Sequence, residues 1–532
     1  MTKQEILEIV QNSIPLSKSE GDARKKMTVL QTYHIGDLSG NRLNSGTIRS
    51  QYIFCPDVSS WENSNINARR AIHSDQLVFV QVGDDEWDSY HGADENEGND
   101  PVPCGHFTGL ENYLSSMRPP AASAGGLDDA KKTYLAAIRT KPFVLLAGIS
   151  GTGKSRLVRQ LARGCCPSGH ELGKDAEGHV DAAQKPGNYE IIPVRPNWHD
   201  STELMGYVTR ITADNKPEFV IKPFVRFLAK AMVHKDVPFF LCLDEMNLAP
   251  VEQYFAEYLS AVETRKKTAN GIVSDVLVNL DLPEIDVKAT VNALLKDWID
   301  VAADGTVTEK VPNAKAVYDA IVADKGLRIP PNLVVMGTVN MDETTCSFSR
   351  KVLDRAMTFE LNEVNMDEGL DSDNSIPYGK IPAANAFSTN VEGCDFYTEN
   401  QALCDTVKAY LLSVNAVLED TPFKFAYRSR NEIMLYCIER TMDGVVSPAR
   451  ALDEVTSMKI LSRIEGDDQK LLYVGDNLAY KDKTILDALK GEIAAALKVV
   501  NGGTDPTDCT VCAKKLDFMA RRLGGGFTNF FV

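Results

Sequence analysis

Four residues in "LLAGISGTGKS" (145–155), namely Gly148, Gly153, Lys154 and Ser155, fit the pattern G-x-x-x-x-G-K-[ST]. Glycines let a backbone wrap closely and turn its N–H groups towards phosphate oxygens. Ile149, Ser150, Gly151 and Thr152 complete such a cradle, with Gly151 as an additional glycine. Lys154 is placed to reach the β- and γ-phosphates of a nucleotide, and the Ser155 hydroxyl to ligate Mg²⁺. Downstream, "PFFLCLDEMN" ends an apolar run in two acids. Asp244 suits a hydrated Mg²⁺, and Glu245 suits polarising an attacking water. Asn340, closing "NLVVMGTVN", is an amide placed to orient that water.

Such chemistry needs elements that bring these segments together. Apolar runs "FVLLA" (143–147), "YEIIPV" (189–194), "PFFLCLD" (238–244), "NLVVMGT" (332–338) and "MTFEL" (357–361) alternate with helical patterns. Continuous apolar strands separated by helices predict an α/β fold whose parallel sheet is covered on both faces. "SRLVRQLAR" reads as the helix after the glycine loop, stopped by Gly164, and its N-terminus adds a dipole to the anion site. "NLAPVEQYFAEYLSAVETR" carries an apolar stripe of Val251, Tyr254, Phe255, Tyr258, Leu259 and Val262, which predicts core packing. From about 385 onward the chain reads as helical, as in "NQALCDTVKAYLLSVNAVLED" and "KTILDALKGEIAAALKVV".

The expected organisation is an N-terminal α+β domain (1–118) for substrate or partner recognition, a linker (119–126), an α/β nucleotide-binding core (127–380), and a helical lid with the C-terminal region (381–532). In the first of these, "QYIFCPDV" and "DQLVFVQVGDD" read as strands, and "GDDEW" with "GADENEGND" as a solvated acidic loop. "MRPPAASAGG" has the composition of a linker. The start, "MTKQEILEIVQNSI", reads as a short amphipathic helix.

The chain has 532 residues, 43% hydrophobic and 25% charged, with a formal net charge of −17. Proteins that grip nucleic acid with their own surface are usually basic, so any DNA contact is expected through a pore, a local patch or a partner. No apolar run is long enough for a membrane span. Eleven irregularly spaced cysteines suit reduced thiols of a cytoplasmic protein. "CTVC" (509–512) has metal-ligand spacing, but no second pair follows it, which argues against a four-ligand zinc site. No Ser-His-Asp or Cys-His arrangement is readable.

Taken together, "GISGTGKS", "FLCLDEMNLAPVEQYFAEYLSAVETR", "IPPNLVVMGTVNMDETTCSFSRKVLDRAMTFEL" and "FAYRSRNEIMLYCIER" resemble, in order and spacing, the AAA+ NTPases of the McrB-like branch, related to MoxR-like and dynein-related AAA ATPases. The resemblance covers residues 130–532. It implies an αβα sandwich with a five-stranded parallel sheet, a helical lid and assembly into a ring, usually a hexamer. It implies Walker A residues at Lys154 and Ser155, a Walker B pair at Asp244 and Glu245, and sensor 1 at Asn340. Arg355 sits where an arginine finger reaches the neighbouring subunit's γ-phosphate, with Arg350 as a second candidate. Arg428 matches a nucleotide-sensing lid arginine, with Arg430 as runner-up. Trp198 and His199, in "RPNWHDSTELMGY", fall where a loop commonly faces the pore or an interface; a buried Trp with a hydrogen-bonded His is the alternative.

The implied function is Mg²⁺-dependent hydrolysis of ATP or GTP, driving a McrC-like nuclease in DNA restriction or anti-phage defence. The alternatives are a MoxR-like ATPase that remodels protein complexes and a nucleotide-gated scaffold. The chain departs from the McrB pattern after sensor 1, where Met341-Asp342-Glu343 stands in place of Thr-Ala-Asp and brings the acid one position closer. Residues 1–118 resemble no methylated-DNA-reading domain.

Overall fold

The computed structural model describes residues 2, 5–6, 33–35, 52–55, 57–62, 77–91, 101–110, 129–212, 216–269, 271–341, 348–362, 375–475 and 477–531. The linker stretch 117–126, most of the N-terminal helical stretch and the departure at 342–347 lie outside these residues. The chain divides into two compact units, 1–123 and 124–532.

In the first unit, strands β1 (Tyr33–Ile35), β2 (Tyr52–Cys55), β3 (Leu77–Gly83), β4 (Glu86–His91) and β5 (Val102–Thr108) form one sheet in that order. β1, β2 and β3 run parallel; β3–β4 and β4–β5 are antiparallel. Alternation along the strands sorts the side chains onto two faces. Ile53, Cys55, Val78 and Val80 pack with Trp61 of helix α1 (Val58–Glu62). On the opposite face Phe54 stacks on Phe79 at 5.2 Å and meets Trp87 edge-on at 6.5 Å. The acidic stretch "GDDEW" is thus no open loop. Asp84 and Asp85 form a hairpin turn, and Trp87 is a fully buried strand residue. Asp85 Oδ1 accepts from the Leu110 amide and the Trp87 indole, which explains an acid at that turn. "GADENEGND" lies outside the described residues apart from its flanks.

The second unit is built on five strands: β6 (Phe143–Gly148), β7 (Tyr189–Pro193), β8 (Phe239–Asp244), β9 (Leu333–Asn340) and β10 (Met357–Glu360). They lie in the order β10-β6-β9-β8-β7, all parallel. β6 is buried along its whole length, and β8 and β9 along all but their last residues. Helices α2 (Asp129–Thr140), α3 (Lys154–Cys165) and α4 (Pro223–Val233) belong to this layer. Helices α5 (Gln401–Val417), α6 (Tyr427–Thr441), α7 (Pro448–Lys459), α8 (Ile485–Val500) and α9 (Val511–Leu523) pack on one another, and α6 also packs on α2.

Winding decides where a ligand can sit. From β6 the chain crosses to the far edge at β7 and returns through β8 and β9 to lie beside β6. β10 then adds on β6's other side. In open parallel sheets, the crevice outside the strand carboxyl ends at such a reversal is where ligands bind. The ends carrying Gly148, Asp244 and Asn340 all open there, and Asn340 pairs in register with Gly148.

Two expectations are corrected, those for Gly164 and for the stripe from Val251. Gly164 does not stop α3, which continues to Cys165. A Cβ at Gly164 would lie 2.7 Å from Ile376 and 2.8 Å from Ile381, so the glycine serves close approach of the returning chain. The apolar stripe from Val251 is buried but broken into two short helices, Val251–Tyr254 and Ala256–Ala261. The terminal aromatics Phe530 and Phe531 are buried, Phe531 against Phe348, and Thr528–Asn529 pairs with Glu465–Gly466. Among the described residues no helix is long and apolar enough to cross a membrane.

Candidate functional site

The loop between β6 and α3 is shaped by steric necessity. A Cβ at Gly148 would lie 2.4 Å from the Leu361 carbonyl oxygen, so only glycine lets the two segments pass. Gly153 adopts φ 80° as it enters α3, a left-handed turn that suits glycine. Residues 149–151 and 153 are exposed, whereas Lys154 is buried beneath them. Its ammonium donates to the Gly148 and Ile149 carbonyls at 2.9 and 2.7 Å. Burial lowers the Lys154 pKa, against the opposing pull of Asp244 and Glu245.

The acid strand meets this loop directly. Ser155 Oγ donates to Asp244 Oδ1 at 2.6 Å, although 89 residues separate them in sequence. Thr338 Oγ1, on β9, donates to the same oxygen at 2.8 Å. The Glu245 amide donates to Thr338 Oγ1 at 3.0 Å. Glu245 itself has φ 53°, a left-handed conformation that an L-residue holds only when its surroundings enforce it. Asn340 Nδ2 donates to Glu245 Oε1 at 3.0 Å, and Asn247 Nδ2 donates to the Asn340 carbonyl at 2.9 Å. Thr338 and Asn340, two residues apart, share one face of β9 and hold the two acids in turn.

This arrangement offers hydroxyl and carboxylate oxygens 2.6 Å apart, beside a glycine loop with a buried lysine. Hard oxygen donors of this kind suit Mg²⁺, which takes one or two protein ligands and completes its shell with water and phosphate. Ser155 and Asp244 would hold it.

Two residues missing from the sequence reading complete the site. Thr338 was hidden as one more β-branched strand residue; its only signal is its place two positions before Asn340. Asn362 follows β10 and accepts the Ile149 amide on Oδ1 at 3.2 Å. It also lines a cavity of about 700 Å³, with Tyr134, Phe359, Arg450 and Phe518 among the walls.

The arginines each have partners of their own. Arg428, expected at the nucleotide, is ion-paired with Asp354 and Glu263, neither of which belongs to the glycine loop or the acid strand. Arg430 bonds Asn431 Oδ1 and lies over the Tyr427 ring. Arg350 donates to the Pro422 carbonyl at 2.7 Å and covers Phe423. Arg355 donates to the Lys351 carbonyl at 2.9 Å, with Glu263 at 3.9 Å. Trp198 is buried edge-on to Tyr254 at 5.3 Å, so it is core rather than a contact residue. His199 is exposed. Cys512 is buried, its thiol donating to the Asp453 carbonyl at 3.0 Å. Among the described residues, the one group of three His, Cys, Asp or Glu side chains close enough to share a metal ion is Asp175, Glu177 and His179, on the surface.

Comparison with known proteins adds little to this geometry. Residues 381–525 match a family described as a domain of unknown function (DUF8727). No curated protein matches the chain. Among solved structures, the chain is similar to a "putative ATPase" from Cytophaga hutchinsonii. Sequence identity is 14%, over 66% of this chain and 87% of that one, with a TM-score of 0.28. A likeness at that score decides neither fold nor activity.

Proposed function

We propose that the chain is a Mg²⁺-dependent nucleoside-triphosphatase of the AAA+ P-loop class. The observation that carries this reading is the junction of Ser155 with Asp244 at 2.6 Å and of Asn340 with Glu245 at 3.0 Å, at the mouth of the glycine loop. The loop amides from 149 to 155 receive the phosphates. Lys154 exchanges its two carbonyl acceptors for β- and γ-phosphate oxygens. Glu245 accepts the proton of the attacking water, and Asn340 keeps that carboxylate aimed. Bound Mg²⁺ would neutralise charge on the β- and γ-oxygens. The base has room in the cavity walled by Tyr134 and Phe359, which Asn362 joins to the loop. ATP and GTP are both within this reading.

Phosphate release by the purified protein tests it, with ATP and GTP each offered in the presence and absence of Mg²⁺. Mg²⁺-dependent turnover that Glu245→Gln removes is expected. A well-folded wild-type protein that binds neither nucleotide would overturn the proposal.

Ring assembly, with Arg355 acting on a neighbouring subunit's nucleotide, rests on the order of the motifs. So does the finer reading of a motor that drives a McrC-like nuclease. Hydrolysis stimulated by duplex DNA with a steep salt dependence would support that motor. Stimulation by a protein partner alone would favour a MoxR-like remodelling role.

A further inference from the structure

Lys459 closes α7, and its side chain is wholly buried. An ammonium carries three protons, and an isolated buried charge is strongly disfavoured. Two backbone carbonyls and one carboxylate surround this one. Lys459 Nζ donates to the Asp354 carbonyl at 2.7 Å and the Ala356 carbonyl at 3.0 Å, and pairs with Glu432 Oε2 at 2.6 Å. The two carbonyls belong to the residues on either side of Arg355.

A second grip falls on the same segment. The Asp354 carboxylate is held by Arg428 on one oxygen and by Arg463 on the other, the latter at 3.1 Å. The Arg355 guanidinium faces Glu263, which also pairs with Arg428 and with Lys141 at 2.7 Å. Lys141 reaches Glu432 at 2.9 Å, which returns the chain of charges to Lys459. Lys141 stands two residues before β6, so the circuit also touches the strand that leads into the glycine loop.

We propose that Lys459 is the positioning residue for Arg355. Through the carbonyls of Asp354 and Ala356 it locks the finger segment to the helical layer, so that movement of that layer moves the arginine. Asp354 is its second anchor. This assignment rests on the proposed hydrolase reading, with Arg355 as the transition-state arginine. Nucleotide occupancy that shifts α6 and α7 would then be transmitted to Arg355 as a displacement of its backbone, with no contact between nucleotide and Lys459.

The test is a double-mutant cycle on turnover in the full-length protein. Lys459→Met keeps the length and apolar stem of the side chain, and Lys141 still neutralises Glu432. Removing a finger arginine costs about 10³–10⁵ in rate, and a displacement of about 1 Å costs about 100-fold. Lys459→Met is therefore expected to lower kcat about 100-fold while leaving KM and the affinity for a fluorescent nucleotide unchanged. In the Arg355→Ala background the same change should have no further effect.

Asp354→Asn, at a more accessible position, gives a milder version of the same result if Lys459→Met fails to fold. A folded variant of either kind with wild-type kcat overturns the assignment, as does full additivity with Arg355→Ala. A wild-type-like Arg355→Ala would instead sink the finger reading itself, and so separates the two failures.

Discussion

Replacing Thr338 by valine probes the site at a residue that touches both acids and that motif reading overlooks. The hydroxyl is 2% exposed at the residue level, and valine matches threonine in shape, so no cavity is created. Two bonds are lost: the one to Asp244 at 2.8 Å and the one from the Glu245 amide at 3.0 Å. A hydrogen bond to a charged group contributes about 1.5–3 kcal/mol, and an orphaned buried amide costs about 1–3 kcal/mol. Because the two share one hydroxyl they are not additive, and about 3 kcal/mol of destabilisation is expected. The functional effect follows from Glu245's left-handed backbone, a conformation that costs about 1–3 kcal/mol unless enforced. Freed from Thr338, the Glu245 peptide relaxes and its carboxylate leaves Asn340. A shift of about 1 Å at a reacting group lowers turnover about 100-fold. Urea unfolding measures the first effect, and phosphate release at saturating nucleotide measures the second. Thr338→Ser keeps the hydroxyl and should retain most of both. A valine variant with stability within about 0.5 kcal/mol of wild type and unchanged kcat would refute the reasoning.

Glu245→Gln should keep nucleotide binding and lose at least about 100-fold in turnover, as general-base loss does; equilibrium binding beside steady-state kinetics separates the two. Gly148→Ala should destabilise the chain by about 1–3 kcal/mol, because the new Cβ lies 2.4 Å from the Leu361 oxygen; thermal unfolding measures it. Asp354 supplies a pH test. Burial acts to raise its carboxyl pKa, but Lys459, Arg463 and Arg428 outweigh burial and hold it below the usual range. A depressed folded pKa contributes stability above the unfolded value and loses it as pH falls through the folded one. Asp354→Asn should therefore be less stable than wild type at neutral pH, with the gap closing below about pH 4. Among the described cysteines, Cys394 is exposed, whereas burial pushes the Cys166 thiol up to about 12. Iodoacetamide at neutral pH should label Cys394 while leaving Cys166 and Cys242 intact, as peptide mass spectrometry would record.

Much of the sheet was legible because each of its strands is a short apolar run in an otherwise mixed sequence. Burial on both faces leaves no alternation to misread, so "FVLLA" and "PFFLCLD" pointed to the strands that end at Gly148 and Asp244. Helix limits were less legible. Gly164 reads as a stop only while Ile376 and Ile381, some 200 residues on, are out of view. Trp198 and Phe531 carry no local mark of burial, since a partner such as Tyr254 or Phe348 is brought up by the fold alone. The arginines show the same limit. The resemblance implies a nucleotide-sensing role for Arg428, but its pairing with Asp354 and Glu263, from two other segments, has no signal in the sequence around it.

By itself, the sequence determined which atoms are available for chemistry: a glycine loop ending in Lys154 and Ser155, two acids closing an apolar strand, and an amide closing another. Residue type and local periodicity are properties of a few consecutive positions, and they survive without a fold. Only the tertiary structure decided that Ser155 meets Asp244, that Thr338 holds both acids, and that Lys459 grips the backbone around Arg355. These contacts depend on a strand order in which the chain leaves β6, crosses the sheet and returns beside it. Distances of about 3 Å between residues so far apart in sequence are set by packing and by the demand that every buried charge find a partner.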